Sequence, residues 1–236
     1  MTGRTAPRGP RRRASHSLEA VLDGAVGLLD EDGESALTFR ALAARLGGGV
    51  GSIYWYVSSK DELLERAADH VMDQVLFESE RFHGDDPIDD LRQTAMVLYG
   101  AVEHRPWLGS YFMRNSSSQP NSLRYYERVG QSVLRLGLGP RETFHAASAI
   151  IGYVIGIAAD LGQQPTEEML RGEVKRDEYL EQAADAWRAL DPEEWPFLHT
   201  IADEFATHDD TDQFTSGLDL MLDGLRLQAE RRARGE

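Results

Sequence analysis

Between Thr38 and Lys60 the chain reads TFRALAARLGGGVGSIYWYVSSK. The hydroxyls of Thr38 and Ser52 can bond phosphate oxygens. Tyr54, Trp55 and Tyr56 place aromatic rings at successive positions, and successive side chains of a helix point in different directions, so at least one must leave the core. An exposed ring among polar neighbours suits contact with a sugar–phosphate backbone and with thymine methyl groups. These groups are suited to holding a nucleic acid rather than to making or breaking bonds. No nucleophile–base pair stands out elsewhere in the chain.

The elements that must position these groups are legible around them. Thr38 is a good N-cap, and Phe39, Leu42, Ala43 and Leu46 make one apolar helix face. Gly47-Gly48-Gly49-Val50-Gly51 is a turn, and Ser52 to Val57 reads as a further short helix. Two short helices about a glycine turn form a helix-turn-helix, in which the first helix braces the second and the second presents its outer side to a major groove. Small Ala43 allows close approach of the helices. Upstream, Leu18, Val21, Leu22, Ala25, Leu28 and Leu29 have helical spacing, with Ser15 or Ser17 as cap and Gly33 as a left-handed end. Downstream, Ser58 or Ser59 caps a helix from Lys60 to about Phe82. The glycine run is no phosphate loop, because no Gly-Lys-Ser/Thr follows it and no strand precedes it.

His83-Gly84-Asp85-Asp86-Pro87 breaks the pattern, dividing the chain into a basic arm (1–15), a helix-turn-helix domain with its connecting helix (16–82) and a second domain (83–236). The second domain reads as helices near 88–104, 107–113, 120–136, 141–162, 178–189, 194–206 and 212–232. The polar stretch Gly162–Arg176 reads as a mobile loop. The fold class expected is all-α.

The 236 residues carry 25 Lys+Arg against 40 Asp+Glu, a net charge of −15, which argues against general nucleic-acid binding. The average hides a gradient: residues 1–60 hold eight Lys+Arg and six Asp+Glu. Arg4, Arg8, Arg11, Arg12 and Arg13 stand in an arm broken by Pro7, Gly9 and Pro10, a composition expected to be disordered when free. Such an arm either reaches a phosphate backbone or minor groove, or is a solvated tail. The absence of cysteine excludes disulfides, Cys-ligated zinc, iron–sulfur clusters and a thiol nucleophile. No apolar signal core follows the arm. The uncharged stretch Thr143–Ala159 reads as a buried helix, so a soluble, cytoplasmic protein without membrane contact is expected. His199 and Asp203 are one turn apart near His208, a common spacing better read as a solvated stretch than as a metal site; no metal and no cofactor are expected.

Leu37-Thr38-Phe39-Arg40-Ala41-Leu42-Ala43, Ile53-Tyr54-Trp55-Tyr56-Val57 and Ser59-Lys60-Asp61-Glu62-Leu63-Leu64 together resemble the TetR family of transcriptional regulators over about residues 16 to 65. Trp195-Pro196-Phe197-Leu198, Phe214, Gly217–Leu225 and Ser148–Tyr153 with Gly156 are similar to the C-terminal domain of the tetracycline repressor class. The resemblance implies DNA contacts, mostly to phosphate, from Thr38, Arg40, Ser52, Tyr54, Tyr56 and Lys60, with Gly51, Ser52 and Trp55 near base edges. Two readings stay open at Tyr54, which could instead pack on Leu42, and at Arg40, which could lie on a solvated face. Gly48 and Gly49 depart from the family's usual apolar and capping residues.

In the second domain the resemblance implies an apolar effector pocket, with Met96, Tyr99, Trp107, Tyr111, Phe112, Phe144, Tyr153 and Asp160 as candidates; ordinary core packing is the competing reading for each. The tetracycline repressor class binds its drug through magnesium with a histidine before Leu-Gly. Here Trp107 precedes Leu108-Gly109, so tetracycline is not the expected effector. Homodimerisation is expected through Ala149 and Tyr153 on one helix and Phe214, Leu218, Met221, Leu222 and Leu225 on another, forming a four-helix bundle; both stripes could instead face the chain's own core. The function expected is a ligand-responsive regulator, not an enzyme: a repressor released from a palindromic operator by a small apolar or aromatic effector. The competing reading is an all-α carrier or enzyme, which would need neither the Thr38–Lys60 segment nor the arm.

Overall fold

The computed structural model describes residues 16–114, 119–161 and 174–235. Among them all regular structure is helical, as the spacing predicts. The order is α1 Leu18–Asp32, a 3-10 turn Glu34–Ala36, α2 Phe39–Arg45, α3 Val50–Ile53, α4 Lys60–Ser79, α5 Pro87–Glu103 and α6 Pro106–Arg114. It continues with α7 Pro120–Leu134, α8 Pro140–Leu161, α9 Arg176–Arg188, α10 Pro196–Thr207 and α11 Asp210–Ala233. The arm, the candidate cap Ser15 and positions 162–173 of the expected loop lie outside the described residues.

Local chemistry explains where these helices start. Helices α5, α6, α7, α8 and α10 each begin at a proline, whose fixed φ suits the first helical position and whose missing N–H costs nothing there. Ser17 caps α1 by accepting from Ala20 N at 3.1 Å, and Thr38 caps α2 by accepting from Ala41 N at 3.1 Å. Ser59 accepts from Glu62 N at 3.1 Å at the start of α4. Asp86 caps α5 through Ile88 N, and its carboxyl is held below the usual carboxylate range by Arg226 and then by that N–H. Helix α3 starts at Val50, before the expected Ser52, because Gly49 adopts the extended N-cap conformation at φ −97° and ψ 151°.

Packing divides the chain into two units. One comprises Met1–Gln74 with Ser117–Leu123, the other Val75–Ser116 with Arg124–Glu236. The division therefore falls inside α4, ahead of the His83–Pro87 break. Beyond Gln74 the end of α4 is held by Arg128, which donates to Leu76 O at 2.7 Å and Ser79 Oγ at 2.8 Å.

In the first unit Val21, Ala25, Leu29, Leu37, Leu42, Ile53, Leu63 and Ala67 are buried in one core. Gly24 brings α1 close to α2: a Cβ there would lie 2.9 Å from Leu42 Cδ1. Arg45 crosses over Gly27 to make a two-pronged pair with Glu31, both contacts at 2.7 Å. That hydrogen-bonded pairing lowers the Glu31 pKa and raises that of Arg45.

In the second unit α5, α6, α8 and α11 pack together. At their centre Tyr99, Phe214 and Tyr153 form a stack, with ring centroids 4.0 Å apart for Tyr99–Phe214 and 5.4 Å for Tyr153–Phe214. Tyr153 donates to Phe214 O at 3.0 Å, and Gly217 makes room for it, since a Cβ there would lie 2.8 Å from the Tyr153 Cζ. Asp90 is buried and paired with Arg135 at 2.5 Å, so the buried charge is not left alone. Helices α9 and α10 pair through Ala184, Ala202, Ala206 and Phe205, with Arg188 bridging Glu181, Asp185 and Asp203.

Two outcomes are expected. Phe214→Ala removes the middle ring of the stack and lowers unfolding free energy by about 3–5 kcal/mol in urea titration. Tyr125 is buried and donates to Thr94 O at 3.1 Å, and burial raises its pKa in the folded state. The stability it contributes is complete below about pH 10, the unfolded value, and is lost as pH climbs above it. Alkaline unfolding of the unaltered chain should therefore steepen above about pH 10 relative to Tyr125→Phe.

Candidate nucleic-acid interface

Helix α3 is one turn long, so its neighbours must hold it. Ile53 and Val57, four positions apart, are both buried and fasten its inner side. The same periodicity then turns Gly51, Tyr54, Trp55 and Ser58 outward, and all four are exposed. Trp55 is 88% exposed and Tyr54 60% exposed, so the reading of Tyr54 as core beneath Leu42 is set aside. Tyr54 instead sets an edge against Phe39 of α2, with ring centroids 4.8 Å apart. That contact stiffens an exposed ring without hiding it.

The turn before α3 has a defined geometry. Gly48 N donates to Ala43 O at 2.9 Å and Gly47 N to Ala44 O at 3.1 Å, the paired bonds of a Schellman end to α2. Gly47 has φ +69°, the left-handed conformation glycine adopts without penalty. Gly48 is small for a different reason: a Cβ there would lie 2.8 Å from His16 Nε2. The departure at Gly48 is thus paired with His16, the residue that leads into α1. Gly49 is the N-cap of α3, with open space around it.

The candidate contacts differ in what they have to offer. The Thr38 oxygen already accepts from Ala41 N, which leaves its proton for an acceptor such as a phosphate. Arg40 is exposed on α2. Lys60 spends one of its three donors on Glu34 O at 2.7 Å and is otherwise exposed. Ser52 departs from expectation. Its hydroxyl donates to Gly49 O at 2.6 Å, and a phosphate, itself only an acceptor, finds no proton there in this rotamer. Tyr56 departs further: it is half-buried and its hydroxyl donates to His16 O. It ties the start of α1 to the end of α3 and so positions the interface. Sequence reasoning missed His16 altogether, because nothing local links it to residues so distant in the chain.

The candidate pocket residues separate into groups. Tyr99 and Tyr153 belong to the stack with Phe214, and Met96 accepts from Thr215 Oγ1 at 3.8 Å. Trp107 and Tyr111 are buried on α6, with Phe112 half-buried and its ring 5.7 Å from Tyr111. Phe144, 60% exposed, and Asp160, also exposed, lie on the outside of α8. Burial raises the pKa of Tyr99 and Tyr153, so both phenols stay protonated to higher pH than a free tyrosine. Of the expected dimer stripe, Phe214, Leu218, Leu222 and Leu225 are buried in the chain's own core and Met221 is half-buried. The free face of α11 is the opposite one, carrying Leu220 and Leu227. On α8, Ala149 is exposed and Tyr153 half-buried.

His199 bonds Leu190 O and Asp203 pairs with Arg188. Among the described residues no group of three or more His, Asp or Glu is placed to hold a metal, and no helix is long and apolar enough to cross a membrane.

Comparison with known proteins follows the same two-part division. The family model described as bacterial regulatory proteins, tetR family, matches residues 21–67, and that described as tetracyclin repressor-like, C-terminal domain, matches residues 83–229. The chain is 29% identical over 239 residues to the HTH-type transcriptional repressor DrrR1 of Streptomyces coeruleorubidus, covering 100% of this chain and 85% of that protein. The solved structure of SCO7222, a TetR from Streptomyces coelicolor, is similar at 36% identity and a TM-score of 0.76, covering 90% of this chain and 98% of that one. ActR of Streptomyces coelicolor, solved in complex with actinorhodin, shares the fold at 22% identity and a TM-score of 0.76, covering 90% and 96%.

The roles of Gly48 and Gly49 can be separated by substitution. Gly48→Ala sets its Cβ against the tip of the His16 ring, which must swing aside, and should cost about 1 kcal/mol of stability, the low end of overpacking. Gly49→Ala meets open space, so its midpoint should stay nearer that of the unaltered chain; urea unfolding of both variants checks this.

Proposed function

The chain belongs to the TetR family of DNA-binding transcriptional regulators, and from that membership we propose that it is a repressor whose α3 enters the major groove of an operator. The observation that carries this reading is the outward face of Gly51, Tyr54 and Trp55 on a turn of helix fastened from behind by Ile53 and Val57. Gly51 lets the backbone come close to base edges, since nothing lies within 4 Å of its Cβ position. Trp55 and Tyr54 supply apolar contact to thymine methyls and sugars. Thr38, Arg40 and Lys60 supply phosphate contacts that set the register.

The working unit proposed is a homodimer. Its interface is assigned to the free sides of α8 and α11. Ala149, Gly152 and Gly156 leave α8 without bulk, and Leu220 and Leu227 remain exposed on α11, 77% and 44% respectively. Two protomers related by a twofold axis match a palindromic operator with half-sites one helical turn, about 34–36 Å, apart.

The effector proposed is a small aromatic molecule held in the second unit near Met96, Tyr99, Trp107, Tyr111, Phe112 and Tyr153. Stacked rings with neutral phenols beside them offer flat apolar contact and a few hydrogen bonds, the composition of a small-molecule site. ActR, which shares the fold, is solved in complex with a small molecule, actinorhodin. Effector binding would favour a conformation unsuited to the operator, and DNA would then weaken effector binding by the same factor.

The test is titration of the purified chain against labelled DNA flanking its own gene, with scrambled DNA as control. Selective, saturable binding is expected, and Trp55→Ala should weaken it about fivefold or more, in keeping with roughly 1–3 kcal/mol for a good base contact. The 88% exposure of Trp55 means that its thermal midpoint should not fall. Equal affinity for scrambled DNA would overturn the assignment of α3 as a sequence reader. Turnover of a bound compound would favour the carrier or enzyme reading.

A further inference from the structure

Two exposed rings stand on the outward side of α3, and they are held differently. Trp55 is the barer of the two and meets no other ring among the described residues. Tyr54 packs edge to face with Phe39, their centroids 4.8 Å apart and their planes at 82°. In that arrangement the positive edge of one ring meets the negative face of the other.

The backbone beneath both members of the pair is already fixed. Phe39 is the first residue of α2, and Thr38 caps that helix by accepting from Ala41 N at 3.1 Å. Tyr54 follows buried Ile53, whose carbonyl accepts from Tyr56 N at 2.9 Å and from Val57 N at 3.2 Å. What is left to set is the side-chain torsion of Tyr54. An exposed ring chooses among three staggered wells. Among the described residues no hydrogen bond holds the Tyr54 hydroxyl, so the contact with Phe39 is what selects the well. Phe39 is itself half-buried and stands outside the core of its unit.

We propose that Phe39 is a positioning residue for sequence reading: it holds the Tyr54 ring in one rotamer before DNA arrives, and so decides whether Tyr54 can recognise thymine by its 5-methyl group. This rests on the DNA-binding reading above and deepens it. Phe39 need touch no base. A thymine methyl is a small apolar target in the major groove, and a ring spread over three wells faces it about a third of the time. Ordering the ring in advance removes that cost from binding. Trp55, without such a neighbour, is ordered only on the DNA.

The test uses full-length variants. Phe39→Leu keeps apolar bulk on α2 but removes the ring, and Phe39→Tyr keeps the ring. Tyr54→Ala and the Phe39→Leu, Tyr54→Ala double variant complete the cycle. Affinity is measured for the flanking DNA and for the same duplex made with deoxyuridine in place of thymidine, which removes only the methyls. The unaltered chain should prefer the thymine duplex by about fourfold for each methyl it covers. Phe39→Leu should bind the thymine duplex about threefold more weakly, and its preference for thymine should fall to that of Tyr54→Ala. Phe39→Tyr should keep both. In the Tyr54→Ala background Phe39→Leu should cost nothing further.

The same loss in that background overturns the proposal, because Phe39 then acts on its own. Unchanged thymine preference in Phe39→Leu overturns it too. Selective binding by the unaltered chain with no preference for thymine also overturns it, and leaves the regulator reading standing. If the unaltered chain binds no duplex selectively, both readings fall together. A readout without DNA separates positioning from folding. The Tyr54 ring-proton shifts of the free chain should move in Phe39→Leu and hold in Phe39→Tyr, while helical circular dichroism matches throughout. Shifts that stay put in Phe39→Leu overturn the pairing itself.

Discussion

A helix of a single turn has no stability of its own, and the outward face of the helix-turn-helix depends on how α3 is held. Nucleating one helical turn in water is unfavourable. Helix α3 exists because Ile53 and Val57 are buried behind it, because the Schellman end of α2 aims the chain into it, and because Gly49 starts it in an extended conformation. Tyr56 then ties its far end to His16. Each constraint acts on a different atom of the same short segment. Together they turn one fixed face outward, with Tyr54 steadied by Phe39 and Trp55 left bare.

This arrangement separates shape from charge. The buried and hydrogen-bonded groups give α3 its position, yet they consume cations and hydroxyls that a nucleic acid would otherwise meet. Arg45 goes to Glu31, the Ser52 proton to Gly49 O and the Tyr56 proton to His16 O. Of the candidate phosphate contacts, Thr38 and Lys60 keep protons uncommitted, and Arg40 and Tyr54 are exposed.

The second unit is organised around aromatic stacking rather than around charge. Phe214 lies between Tyr99 and Tyr153, and Gly217 is required for the Tyr153 ring to reach it. One consequence is that α11 turns its larger apolar residues inward. Its sparser outer face keeps Leu220 and Leu227 exposed. Helical periodicity alone does not separate these two faces, because Leu218, Leu222 and Leu225 and the neighbouring Leu220 and Leu227 both read as apolar rows.

Much of the molecule was determined by local signals within the sequence. Helix starts follow from Pro87, Pro106, Pro120, Pro140 and Pro196 and from the caps Ser17, Thr38 and Asp86, each acting within a few residues. The all-α class, the helix-turn-helix and most helix boundaries are legible for that reason. Tertiary structure decided what depends on partners distant in the chain. The size limit at Gly48 and the fate of the Tyr56 hydroxyl both come from His16. The inward turn of Phe214 and the outward place of Phe144 come from how α5, α8 and α11 meet. A side chain's type states which bonds it can make, but only packing across the chain decides which of them are already taken.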